Sequence, residues 1–265
     1  MTSPSVAVVV TSSTPLWYTT RATGLVALVL LTAGMCAGLL TSVRFEAYGW
    51  PRFVTLALHR NLSLLALAFT VLHVLTTVLD SFVSIPLADA FIPFIGSYRP
   101  FWLGLGAVSF DLMLALVITS LLRARMSLRS WRLVHWSAYA CWPVAVVHGL
   151  GTGTDTPVSW VLALTVLCIL PVVVLTLWRL ALSWRQRPGW VATGVAGILL
   201  TVILGAAWLQ AGPLAPHWST RSGTHTTRPR AAAKGGLGAG LSDQTAAAAP
   251  AHHDDHSSES SDDDR

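Results

Sequence analysis

Long apolar runs separated by short polar segments fill most of the chain before residue 212. Six of these runs approach or exceed the roughly 20 residues that a helix needs to cross about 30 Å of hydrocarbon. Since only helices satisfy their own backbone in lipid without closing a barrel, each run is predicted to be a helix. The fold class is therefore all-α, a polytopic membrane bundle. Its transmembrane helices are predicted at about 22–42, 53–79, 102–122, 132–151, 158–183 and 190–211.

Composition agrees with this pattern. Hydrophobic residues make up 53% of the chain and charged residues 11%, and the mean hydropathy is +0.60. These values are typical of membrane proteins, so the bilayer is the predicted partner. Nearly all the charged residues lie in short clusters between apolar runs or in the last fifty residues, so the net charge of +5 does not indicate nucleic-acid binding. The three cysteines lie in apolar runs and form no disulfide or CxxC pattern.

The chain divides into three predicted regions. A short N-terminal segment, 1–20, precedes a six-helix domain at 21–211, and a tail rich in Ala, Gly, Ser, Thr and His follows at 212–265. The tail is predicted to be disordered because it offers too little apolar surface to offset the entropy lost on ordering. Its His/Asp cluster at 252–256 is either a loose divalent-metal site or simply solvated, and the sequence leaves its role open.

Basic residues predict the orientation. Nine arginines lie between helices 1 and 2, 3 and 4, and 5 and 6, whereas the opposite side has Arg21 and Arg99 before the tail. By the positive-inside rule, the side with nine arginines is cytoplasmic. The chain is thus predicted to be a multi-pass plasma-membrane protein with an extracytoplasmic N-terminus and tail. No basic residue precedes Arg21, so the first membrane helix is expected to direct targeting.

Two of the predicted helices each contain two histidines. His59 and His73 lie in LHRNLSLLALAFTVLHV, and His135 and His148 lie in VHWSAYACWPVAVVHG. A histidine inside a membrane helix is costly and indicates a functional site. Because one crossing separates these helices, they run parallel. Depth therefore pairs His59 with His135 on the inner side and His73 with His148 on the outer side.

The spacings predict how these side chains face. Fourteen residues separate His59 from His73, which is about 21 Å along a helix with a rotation of about 40°, so both face one partner. Thirteen residues separate His135 from His148 and leave them about 140° apart on an ideal helix. The fourth helix must therefore be distorted, and Pro143 is the candidate cause of a kink.

Two matched pairs favour two b-type haems, each with bis-histidine axial ligation of its iron. A lone membrane histidine is often a hydrogen-bonded structural residue, but four paired by depth are hard to explain by packing. A zinc site would bring three or four ligands into one tight cluster, whereas this topology keeps the pairs apart.

The sequence resembles the ferric reductase-like transmembrane family, which includes the membrane cores of ferric reductases and NADPH oxidases and the haem subunit of periplasmic methionine sulfoxide reductase systems. The resemblance rests on four segments and on the histidine spacings. It implies a dihaem cytochrome b that passes electrons singly from the cytoplasmic face to the outer face. The segments are HRN at 59–61 with His73, SYRPFWLGLG at 97–106, WRLVHW at 131–136 and HGLGTGTD at 148–155.

The chain departs from the family's full-length reductases after the fifth helix. A sixth helix and the tail follow, and no GxGxxG fingerprint stands in a strand–helix setting. We therefore expect an oxidoreductase subunit with no catalytic side chain of its own. Its electron donor would be a quinol or a separate flavoprotein with FMN or FAD. The extracytoplasmic acceptor stays open: ferric iron, oxygen, a flavin domain or a repair enzyme.

Three arginines are candidate partners for haem propionates. Arg60 and Arg132 are close in sequence to the inner histidines, and Arg99 lies on the outer side before the third helix. All three guanidinium groups are predicted to form charge-assisted hydrogen bonds to haem carboxylates. Arg60 and Arg132 equally satisfy the positive-inside bias. Asp111, in the middle of the third helix, is predicted to be protonated or paired, and its role is open.

Two other functions compete with electron transfer. A haem-based redox or gas sensor that recruits a partner would need a labile axial position, which four histidines do not favour. A metal-ion transporter would need a midplane site, often with carboxylates, and Asp111 is the one candidate there.

Overall fold

A computed structural model describes residues 15–48, 50–80, 85–152, 155–185, 188–216 and 218. The predicted all-α class is confirmed, because no strand occurs among these residues apart from one isolated bridge between Ala47 and Trp50. The N-terminal 14 residues and nearly all of the predicted tail lie outside the described residues. The helices are α1 Pro15–Ser42, α2 Arg52–Leu79, α3 Pro100–Leu121, α4 Leu128–Trp136, α5 Ala138–Thr152, α6 Ser159–Ser183 and α7 Pro188–Ala211.

Five described helices, α1, α2, α3, α6 and α7, are long and apolar enough to cross a membrane. Large apolar side chains stay exposed on them, and on α7 these include Leu199, Ile203 and Leu204. Such surfaces are stable in hydrocarbon, which solvates apolar side chains and leaves the helical backbone bonded to itself. The chain is a multi-pass membrane protein.

The fourth predicted helix is two helices. α4 begins after Ser127, whose side chain accepts a hydrogen bond from the Ser130 backbone N–H at 3.1 Å, an N-cap that satisfies an otherwise unpaired donor. The helix is interrupted at Ser137, and α5 follows at once. The interruption therefore does not fall at Pro143, which lies inside α5. It separates His135 on α4 from His148 on α5, so each can take its own direction.

Two helix pairs form the centre of the bundle, α1 with α2 and α3 with α5. α1 and α2 pack against each other at Gly34, where an added Cβ would lie 3.5 Å from the Ser63 hydroxyl, an ordinary contact distance. Between α3 and α5, the Ser109 hydroxyl donates to the Cys141 carbonyl at 3.1 Å. The Trp142 indole N–H donates to the Thr32 hydroxyl at 3.0 Å and ties α5 to α1. Interhelical polar contacts of this kind are favourable in lipid.

Candidate functional site

The four membrane histidines lie in two facing pairs. In the first pair, His59 of α2 faces His135 of α4, with ring centres 6.2 Å apart and ring planes at 85°. In the second pair, His73 of α2 faces His148 of α5, with ring centres 6.4 Å apart and planes at 75°. Along α2 the two pairs are separated by about 21 Å.

Three of the four imidazoles are fixed by a backbone carbonyl of a neighbouring helix. Nδ1 of His59 donates to the carbonyl oxygen of Gly34, and Nδ1 of His73 to that of Thr20, both at 2.8 Å. A carbonyl can only accept, so each Nδ1 carries the proton. The tautomer that results leaves Nε2 with a free lone pair, which is the form that ligates a metal.

His148 is held in the same way from α3. Its Nδ1 donates to the Trp102 carbonyl at 2.8 Å, and the Thr152 hydroxyl lies 3.3 Å from the same nitrogen. The ring is thus oriented by its own helix and by the adjacent one.

A glycine lies against each of these three rings, four residues after the carbonyl that accepts the hydrogen bond. An added Cβ would lie 3.0 Å from the His73 ring at Gly24, 3.1 Å from the His59 ring at Gly38 and 2.6 Å from the His148 ring at Gly106. Contacts this short are rarely tolerated between a Cβ and a fixed ring. The carbonyl and the glycine together form a slot for the imidazole, which we call a histidine seat.

α1 contains two of the three seats, and their spacing matches that of α2. Thr20 and Gly34 are fourteen residues apart, as are Gly24 and Gly38, and so are the two histidines that they contact. Neither Gly24 nor Gly38 is among the site residues predicted from the sequence. The equal spacing in two adjacent helices is a signal that was present in the sequence.

His135 has a different environment. Among the described residues no partner is found for its buried Nδ1. Its ring is instead stacked on Trp131, one turn earlier in α4, with ring centres 4.7 Å apart and planes at 20°. The first pair is therefore held by one seat and one aromatic stack, whereas the second pair is held by two seats.

A cavity of about 300 Å³ adjoins the second pair, and His73 and His148 are among its lining residues. Most of its wall is apolar and comes from α1, α3 and α5. Its polar lining residues include Arg21, Asp89, Tyr98 and Asp155. A largely apolar space with a few polar groups is the usual form of a cofactor site.

Arg21 and Asp155 form an ion pair beside this cavity. Nη1 of Arg21 lies 2.6 Å and 2.5 Å from the two carboxylate oxygens of Asp155, and the guanidinium also lies 4.4 Å from the centre of the Trp17 ring. The pair joins the start of α1 to the turn before α6. Sequence reasoning used Arg21 only to assign orientation, because nothing in the sequence brings positions 21 and 155 together.

The three arginines predicted as propionate partners do not line the cavity. Arg99 is buried, donates from Nη1 to the Thr152 carbonyl at 2.9 Å and lies over the Tyr98 ring. It therefore links the start of α3 to the end of α5, which contains His148. Arg60 and Arg132 are exposed, each next to a histidine of the first pair. Asp111 is partly buried in α3.

The histidine geometry fits an iron ion between the rings of each pair. Two collinear metal–nitrogen bonds of about 2 Å, each followed by about 1.1 Å from nitrogen to ring centre, would place the ring centres about 6.2 Å apart. The observed 6.2 Å and 6.4 Å match this value. No group of three or more His, Cys, Asp or Glu suited to a metal occurs among the described residues, so the donor set is one of pairs.

Comparison with known proteins agrees with this picture. Neither a curated protein nor a solved structure matched the chain. The matched family model runs from α1 into α5 and covers His59, His73 and His135, while His148 lies two residues beyond its end. Domains of this family generally bind haem. The match spans residues 23–146 and is to the family described as ferric reductase like transmembrane component, which the sequence motifs also indicated.

Proposed function

We propose that this protein is a dihaem b-type membrane cytochrome, in which each histidine pair ligates one haem iron and the two haems carry single electrons across the bilayer. The observation that supports it is the facing of two imidazole pairs at 6.2 Å and 6.4 Å. Each distance suits six-coordinate iron. The family match supports a role as a membrane electron-transfer component.

The chain's own residues would set the ligands and their surroundings. Backbone carbonyls of Thr20, Gly34 and Trp102 accept the Nδ1 protons and leave each Nε2 with a lone pair that could ligate iron. Such bonds fix the tautomer and raise the basicity of the ligand. The seat glycines let the rings lie against the neighbouring helix, which keeps the space between the paired rings free for a flat macrocycle.

At the second pair, Arg21 is the propionate partner that the geometry favours, since it lines the cavity and Asp155 holds it there. Arg99 would act indirectly, by fixing the end of α5 through the Thr152 carbonyl. At the first pair, Arg60 and Arg132 remain the candidate propionate partners.

The excess of loop arginines supports an orientation with the first pair on the cytoplasmic side and the second pair on the outer side of a plasma membrane. Electrons would enter at the first pair from a separate FMN- or FAD-containing flavoprotein or from quinol. They would leave from the second pair to an extracytoplasmic acceptor. In this arrangement the protein is an oxidoreductase subunit whose side chains bind and place cofactors without taking part in bond chemistry.

The test is haem content and coordination of the full-length protein purified in detergent. Two b haems per chain in a pyridine haem assay, with low-spin bis-histidine reduced-minus-oxidised bands, are expected. One haem per chain would reject the dihaem assignment. A haem-free protein from haem-supplemented cells would reject electron transfer altogether and favour metal-ion transport.

A further inference from the structure

His135 differs from the other three histidines in what its Nδ1 contacts. The other three donate this proton to a backbone carbonyl at 2.8 Å, but no acceptor for His135 is found in the described part of the chain. No seat glycine lies against its ring either, since the three seats belong to His59, His73 and His148. Its orientation must therefore come from another contact.

That contact is an aromatic stack with Trp131, which also contacts a cation. Trp131 lies against His135 at 4.7 Å between ring centres, and the Arg123 guanidinium carbon lies 4.9 Å from the centre of the Trp131 ring. Arg123 precedes α4 in a short 3-10 turn, and Trp131 and His135 are one turn apart on α4. Trp131 thus contacts both other side chains, and we call these three side chains the Trp131 stack.

The Trp131 stack and a histidine seat have different effects on a histidine that ligates a metal. A carbonyl that accepts the Nδ1 proton pulls positive charge out of the ring and makes Nε2 a stronger donor to a metal. A stacked indole fixes the plane of the ring but supplies no acceptor for that proton. α4 is also a short helix that ends at Trp136, immediately after His135, and is separate from α5.

We propose that Trp131 is the positioning residue for His135 and that the first pair forms the exchangeable haem site, where a small neutral ligand such as carbon monoxide replaces His135 on reduced iron. The inference rests on the proposed haem ligation. One neutral ligand replaces another, so neither an electron nor a proton is transferred. The second pair, with two seats, excludes such a ligand.

The experiment measures carbon monoxide binding to the dithionite-reduced, haem-loaded full-length protein. In the His73→Ala/His148→Ala background, only the first site keeps its ligands, so any response is assigned to it. There, Trp131→Ala is expected to bind carbon monoxide on the order of tenfold faster, as for loss of an outer-shell partner. Trp131→Phe keeps an aromatic stack and should restore the slow rate. Trp190→Ala, an exposed tryptophan at the start of α7, is the matched control and should change nothing.

A second measurement needs no Trp131 variant. Haem transfer to excess apomyoglobin is compared between the two single-site proteins, His73→Ala/His148→Ala and His59→Ala/His135→Ala. The first site is expected to lose haem faster, on the order of tenfold. Equal rates, or faster loss from the second site, would overturn the proposal. A wild-type protein without haem would overturn the proposed function as well, whereas a haem-loaded protein with equal rates overturns this inference alone.

Discussion

The two histidine pairs share a geometry but differ in what holds the rings. Ring centres are 6.2 Å apart in the first pair and 6.4 Å in the second. In the second pair both imidazoles donate to helix carbonyls and lie against glycines. In the first pair only His59 does so, and His135 is stacked on Trp131. The protein thus places two similar histidine pairs in different surroundings.

The difference follows from the helices on which the four rings lie. α2, α3 and α5 each pack along a neighbouring helix, and a ring between two packed helices meets a backbone carbonyl and a small residue. α4 is only nine residues long, and no carbonyl within the described chain accepts the Nδ1 proton of His135. The side-chain stack on Trp131 is therefore the ring contact that the described residues give His135 in place of a backbone acceptor.

The largest expected effect comes from two single variants, each of which removes one histidine from one pair. His148→Ala should empty the second site and His135→Ala the first, because neither pair can borrow a ligand across about 21 Å. Each variant is expected to hold about one haem per chain where wild type holds two. The pyridine haem assay measures this. Substitution of Trp190, exposed on α7, is the control and should leave two. If either variant kept both haems, the pairing would be wrong.

The seats provide a second test, directed at the more rigid site. At Gly106 a Cβ would lie 2.6 Å from the His148 ring, whereas at Gly197 nothing lies within 4 Å. Gly106→Ala should push the ring from its slot, at a cost of about 1–3 kcal/mol from overpacking. We expect faster loss of the second haem, on the order of tenfold. Haem transfer to apomyoglobin measures it, and Gly197→Ala is the matched control.

Gly24→Ala tests the same effect at a longer contact distance, because a Cβ at this position would lie 3.0 Å from the His73 ring. Gly24→Ala should therefore loosen the second haem less than Gly106→Ala does. A reversed order would contradict the view that the seats are set by contact distance.

Much of this fold could be predicted from the sequence, because apolar runs of bilayer length leave little choice of structure. The predicted end of α2 at residue 79 is observed, and α1 begins seven residues earlier than predicted. The thirteen-residue spacing correctly required a distorted fourth helix. The location of the break did not follow, because Pro143 is accommodated inside α5 and the chain turns at Ser137.

The site was less predictable where it depends on contacts between distant residues. Arg99 looked like a propionate partner because an arginine on that side is unusual, yet its side chain is buried against the Thr152 carbonyl. Arg21 lines the cavity instead, through an ion pair across 134 residues of sequence. Whether a backbone carbonyl accepts the Nδ1 proton of His135 also depends on which helices lie beside it. Hydrophobic periodicity does not give this information.

The Arg21–Asp155 ion pair should tune the second site and leave the first unchanged. A nearby cation stabilises the reduced haem, so Arg21→Gln should lower the second midpoint potential, whereas Asp155→Asn should raise it by leaving Arg21 unneutralised. Both side chains are about one-third exposed, at 29% and 37%, so folding stability should change by less than about 1 kcal/mol. Spectroelectrochemical titration resolves the two potentials. Shifts of the same sign in both variants would contradict an electrostatic role.

The smallest expected effect concerns the exposed arginines beside the first pair. Arg132 is exposed to the surroundings, where a unit charge at about 10 Å contributes only about 0.4 kcal/mol in water. Arg132→Gln should therefore lower the first midpoint potential by about 20 mV or less, and Arg60→Gln should behave alike, since 59 mV is a tenfold change for one electron. The same titration measures both. A shift larger than that of Arg21→Gln would mean that side-chain charge stabilises the first site in addition to the Trp131 stack. The two pairs would then differ in rigidity but not in their dependence on charge.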